Sequence, residues 1–124
     1  MQIILVEDDK IYADFISKAL AKNPGFQVSV FSSAEDALKI IEGNLPEVLI
    51  MDYKLPGMTG INVFEQVKTK ISPSNKVILM SAIDDGSMVL SFIQKGVRDY
   101  VIKDENVIEA LETIINGDEE YFFK

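Results

Sequence analysis

The chain alternates short apolar runs with longer stretches in which apolar residues recur at helical spacing. Residues 3–6, 48–51, 77–80 and 100–102 are continuous apolar runs, the pattern of strands covered on both faces. Residues 26–31 carry Val28 and Val30 in alternation and read as the second strand in chain order. Between them, Ile11, Phe15 and Ala19, flanked by Ile16 and Leu20, predict a helix that Asn23-Pro24-Gly25 stops. Ser32-Ser33 offers an N-cap with Asp36 in a capping-box-like position, and Ala37, Leu38, Ile40 and Ile41 follow before Gly43-Asn44. Gly60 opens a third helix with Ile61, Phe64, Val67 and Ile71 on one face. Ser72-Pro73-Ser74-Asn75 is a turn. Asp84-Asp85-Gly86 begins a fourth helix whose stripe is Met88, Val89, Phe92 and Ile93, closed by Gly96. Val107, Ile108, Leu111, Ile114 and Ile115 give the last helix its inward face, and Asn116-Gly117 ends it.

Strand and helix therefore alternate five times. That (βα)5 pattern implies an α/β fold, a doubly wound parallel sheet with helices on both faces. Residues 1–117 form one domain in this reading, and residues 118–124 are a C-terminal tail or the start of a linker. Right-handed crossovers bring every strand's C-terminal end to one rim, where open α/β sheets bind ligands. The residues expected there are Glu7-Asp8-Asp9, Asp52, Ser81 and Lys103.

Composition narrows the chemistry. At 124 residues with a net charge of −8, the chain suits one domain and argues against nucleic-acid or anionic-membrane binding by itself. It contains no cysteine and no histidine, which removes disulfides, thiolate–zinc sites, imidazole bases and phosphohistidine. The first residues turn acidic after a short apolar run, unlike a signal peptide, and no apolar run approaches the ~20 residues a membrane span needs. A cytoplasmic location is expected.

What remains is carboxylate, hydroxyl and ammonium chemistry. Asp52 reads as a nucleophile, metal ligand or general base, or else as a strand-ending turn aspartate. Clustered carboxylates repel one another unless a cation intervenes, and a hard divalent ion takes oxygen ligands. Asp8 and Asp52 can supply these directly, Glu7 through a water, and a loop carbonyl just past Asp52 can add another. Aspartate can accept a phosphoryl group as an acyl phosphate. Ser81 and Lys103 can then contact its oxygens, although Ser81 can equally cap the next turn and Lys103 can simply pair with Asp52. Asp9 reads as a first-turn helix acid.

Four stretches in order resemble the receiver domains of two-component response regulators. They are Ile4-Leu5-Val6-Glu7-Asp8, Leu49-Ile50-Met51-Asp52 with Lys54-Leu55-Pro56-Gly57-Met58-Thr59-Gly60, Met80-Ser81-Ala82, and Asp99-Tyr100-Val101-Ile102-Lys103. The resemblance implies a flavodoxin-like sheet in the order 2-1-3-4-5. It implies Asp52 as phosphoacceptor, and Mg2+ (or Mn2+ or Ca2+ in its place) held by Glu7, Asp8, Asp52 and the Lys54 carbonyl. Ser81 would be the switch hydroxyl, Lys103 the phosphate partner and Tyr100 the switch aromatic. The donor would be a histidine kinase or histidine phosphotransfer protein, and the face made by the fourth helix, fifth strand and fifth helix would carry the output or a homodimer. Such a domain is a signalling phosphoacceptor that catalyses only its own phosphorylation and dephosphorylation. A receiver-like interaction module without phosphorylation is the alternative.

Two departures stand out. The family usually has proline after the lysine, often with a cis bond; here Asp104 follows, and a trans bond is expected. Lys-Asp at this point resembles the branch whose output domain is a helix-turn-helix DNA binder. Lys54 and Ile83 stand at the variable positions that tune hydrolysis, and apolar Ile83 predicts a long-lived phosphoryl state. Tyr121, Phe122 and Phe123 near the terminus fit a linker or a segment packed back on the domain.

Overall fold

The computed structural model describes residues 1–82 and 88–117. Five parallel strands form one sheet in the order β2-β1-β3-β4-β5. They are β1 (Gln2–Val6), β2 (Gln27–Phe31), β3 (Val48–Asp52), β4 (Lys76–Ser81) and β5 (Asp99–Ile102). The helices are α1 (Lys10–Leu20), α2 (Ala34–Ile41), α3 (Gly60–Val67), α4 (Val89–Gln94) and α5 (Val107–Asn116). This is the order that the resemblance implies. The start predicted for the fourth helix at 84–86, Ile83 and the tail 118–124 lie outside the described residues.

Strand alternation divides the core. Ile4, Val6, Leu49, Met51, Val77 and Leu79 face one side, packing with Ala37 and Ile41 of α2, Val63 and Val67 of α3, and Phe92 of α4. Ile3, Leu5, Val48, Ile50, Ile78 and Met80 face the other, against Ile16 and Leu20 of α1 and Leu111 and Ile115 of α5. β3 is buried along its whole length because β1 and β4 flank it and helices cover both faces. Each such aliphatic side chain contributes about 1.5–3 kcal/mol by leaving water.

The helices start where polar side chains take up free N–H groups. Asp9 is the N-cap of α1, accepting from Ile11 N and Tyr12 N, so it caps the helix from outside its first turn. Ser33 accepts from Asp36 N at α2, and Thr59 and Asn62 form a reciprocal capping box at α3. Gly117, in the left-handed conformation at φ 73°, ends α5.

Four predicted helix faces differ from the observed ones. In α1 the buried residues are Ala13, Ile16 and Leu20, while Ile11 is 84% and Phe15 51% exposed. Two apolar stripes share the helical period, and docking on the sheet selects the one offset by a residue. In α4, Phe92 is fully buried but Ile93 points outward, and Ile40 of α2 does likewise. Ile71 falls beyond α3, which tightens into a 3-10 turn at Lys68–Lys70 before the chain extends.

Candidate functional site

The strands stop at one rim, and backbone hydrogen bonds continue past their ends to fix the residues that follow. Glu7 N donates to Phe31 O at 3.0 Å, Tyr53 N to Met80 O at 2.7 Å, and Lys103 N to Ser81 O at 2.8 Å. Glu7, Asp52, Ser81 and Lys103, from four strands, are thereby held side by side. Gly60 packs α3 against this rim. A Cβ there would lie 2.7 Å from the Asp52 carbonyl oxygen, so the close approach requires glycine.

Lys103 is the hub. Its Nζ donates to Asp52 Oδ2 at 2.7 Å and to Glu7 Oε1 at 2.5 Å. Asp52 Oδ1 accepts from Lys54 N at 3.2 Å, and Glu7 Oε2 from Asp9 N at 3.1 Å. Pairing of Lys103 with Asp52 is therefore present in this structure, and it extends to Glu7. Burial pulls against the charge on Lys103, but its hydrogen bonds to Asp52 and Glu7 outweigh that and raise its pKa. Glu7 is buried, and its desolvation, with the nearby charge of Asp52, outweighs Lys103 and pushes its pKa up to about 7.

Glu7, Asp8 and Asp52 each offer a carboxylate oxygen, all within 4.8 Å of one another. Asp8 is exposed at the rim, whereas Glu7 and Asp52 are buried. Three carboxylates against one ammonium leave excess negative charge on hard oxygen donors. That donor set fits a divalent cation such as Mg2+.

Ser81 is buried and its Oγ has no hydrogen-bond partner among the described residues, while the turn it was expected to cap lies outside them. A buried hydroxyl without a partner is costly, which leaves Ser81 with an unused donor at the site. Tyr100 is half-buried and packs against the α2–α3–α4 side of the core. Asp104 Oδ1 accepts from Asn106 N at 2.9 Å, and the Lys103–Asp104 bond is trans.

Sequence reasoning passed over Tyr12. Lys103 Nζ lies 4.6 Å from the centroid of its ring, and its buried hydroxyl has no hydrogen-bond partner among the described residues. The sequence carried one signal: Tyr12 stands in the first turn of α1, directly after the rim acids.

The chain spans about half the length of the first curated relatives it matches. It is 28% identical over 119 residues to the probable transcriptional regulatory protein NarL of Mycobacterium tuberculosis, covering 94% of this chain and 54% of that protein. It is 31% identical over 121 residues to the chemotaxis protein CheY of Bacillus subtilis, covering 93% of this chain and 98% of that protein. The solved signal receiver domain of the M. tuberculosis response regulator NarL superposes with a TM-score of 0.77 at 25% identity, covering 94% of this chain and 96% of that one. The response regulator receiver domain model matches residues 3–116, nearly the whole described sheet and its helices. This chain belongs to the response regulator receiver domain family.

Proposed function

We propose that this receiver domain is switched by transfer of a phosphoryl group to Asp52. The observation that carries the reading is the Lys103 ammonium bridging Asp52 and Glu7 at the rim, with Ser81's hydroxyl on the neighbouring strand end unpartnered among the described residues. An Asp52 oxygen attacks phosphorus, the P–N bond to the donor histidine breaks, and the departing imidazole takes up a proton. The donor is a histidine kinase or a histidine phosphotransfer protein. Glu7, Asp8, Asp52 and the Lys54 carbonyl would hold the divalent cation. Bound there, Mg2+ supplies charge neutralisation for the incoming phosphoryl oxygens. Lys103 stays beside the phosphoryl group once Asp52 no longer bears its own charge, and Ser81 donates its free hydroxyl to a phosphoryl oxygen.

Ser81 moving toward the phosphoryl group opens space for Tyr100, and the face of α4, β5 and α5 repacks. Leu90 and Ile93, exposed on α4, supply apolar surface there for an output partner or a second copy. Likeness to the transcriptional regulatory protein NarL supports a role in transcription regulation, with residues 1–117 as receiver and residues 118–124 as a tail or the start of a linker to an output domain.

Intact mass after incubation with acetyl phosphate, with and without Mg2+, tests this on wild type and Asp52→Asn. One phosphoryl group added only with metal, and absent from Asp52→Asn, is expected. A folded wild-type protein that gains no mass would leave an interaction module that signals without phosphorylation.

A further inference from the structure

We infer that Tyr12 is the positioning residue for Lys103, its ring acting as a neutral support that keeps the ammonium at the rim while its carboxylate partners change state. The inference rests on the phosphoacceptor reading of Asp52.

Lys103 Nζ has three sides occupied: Asp52 Oδ2, Glu7 Oε1 and the Tyr12 ring, whose centroid lies 4.6 Å away. That distance is well inside the roughly 6 Å over which a ring's negative face attracts a cation. The three supports differ in what phosphorylation does to them. Asp52 becomes an acyl phosphate, a mixed anhydride, and its carboxyl group loses its own charge. Glu7 belongs to the set proposed to hold the cation. Tyr12 belongs to neither group, and its attraction for the ammonium needs no particular hydrogen-bond direction. It can therefore retain the lysine as the acceptors around it are exchanged.

The ring is itself held. Tyr12 N donates to Asp9 Oδ1 at 3.1 Å, which fixes the first turn of α1. Its ring meets Phe15 with centroids 5.9 Å apart, and it packs against the α1–α5 side of the core. The hydroxyl is buried without a partner among the described residues, so the aromatic face carries the role and the hydroxyl does not.

The test compares phosphoryl uptake from acetyl phosphate in wild type, Tyr12→Phe, Tyr12→Leu, Lys103→Ala and Lys103→Ala with Tyr12→Leu. Lys103 Nζ is followed in parallel by 1H–15N spectroscopy of the unphosphorylated protein. Tyr12→Phe should take up phosphoryl within about twofold of wild type, and Tyr12→Leu about tenfold more slowly. In the Lys103→Ala background, Tyr12→Leu should add no further loss, because its effect passes through the lysine. The Lys103 ammonium protons should be sheltered in wild type and Tyr12→Phe, and broadened by water exchange in Tyr12→Leu. Tyr12→Met, close in volume and without a ring, replaces Tyr12→Leu if that variant does not fold. Uptake by Tyr12→Leu as fast as wild type would overturn the inference. So would the same loss in both lysine backgrounds, or equal slowing by Tyr12→Phe. Phosphoryl uptake by Asp52→Asn would instead sink the acceptor reading, while the ammonium signals still report on Tyr12.

Discussion

Replacing Glu7 by Gln changes how the stability of this domain depends on pH. Glu7 is 1% exposed, and folding moves its pKa from 4.5 to about 7. Each pKa unit corresponds to about 1.4 kcal/mol, so ionised Glu7 opposes folding by about 3 kcal/mol relative to its protonated form. The folded state binds this proton more tightly than the unfolded chain does. Its favourable contribution is complete below about pH 4.5 and is lost as pH rises through about 7. The raised pKa of Lys103 acts only in alkali, above the ordinary lysine range, and leaves this window untouched. Urea unfolding of wild type and Glu7→Gln, in chelator at pH 5, 6, 7 and 8, isolates the Glu7 contribution. The variant should gain on wild type as pH rises, by about 2.5 kcal/mol across the series. Added Mg2+ should then stabilise wild type more than the variant, since cation binding to the folded state favours it and one ligand has been neutralised. A difference that stays flat with pH would refute the reasoning. A flat difference is also what dominance of Lys103 over desolvation would produce, because Glu7 would then be ionised in both states above pH 5.

Two further changes probe the rim. Ser81→Ala removes a buried hydroxyl that has no partner among the described residues, so the unphosphorylated domain should become more stable by about 1 kcal/mol in chemical denaturation while acetyl phosphate uptake slows. A loss of stability would mean the hydroxyl is hydrogen-bonded at rest. Gly60→Ala sets a Cβ against the Asp52 carbonyl oxygen and Leu79, and should cost about 2–3 kcal/mol and displace Asp52, visible as a lowered Tm and slower uptake. An unchanged Tm would show that α3 can move off the rim freely.

The rim was legible because its residues sit where apolar runs end. A run such as 48–51 has one buried environment available to it, and the residue after it has to emerge at the sheet's edge. Glu7, Asp52, Ser81 and Lys103 were therefore identifiable from the pattern alone, and the acidic and cationic types among them pointed to their chemistry. Strand order and residue roles came from resemblance to receiver domains, since alternation of strand and helix does not say which strands are neighbours. The observed order now agrees with it.

Helix phase was less legible. Ile11 and Phe15 have the same period as Ile16 and Leu20, and a periodic signal does not distinguish two apolar stripes one residue out of step. The sheet surface buries the stripe containing Ala13 and leaves Ile11 in solvent. Ile93 beside Phe92 is the same ambiguity on a shorter helix.

The sequence by itself determined the alternation of elements and the chemical inventory of the rim, because both depend on local apolar runs and on the residues that end them. Only the tertiary structure decided that Lys103 joins Glu7 to Asp52, that Ser81 lacks a partner among the described residues, that Gly60 has no room for a side chain, and that Tyr12 lies against an ammonium far along the chain. These are distances between residues remote in sequence, set by how strands register and helices dock, and no local pattern carries them.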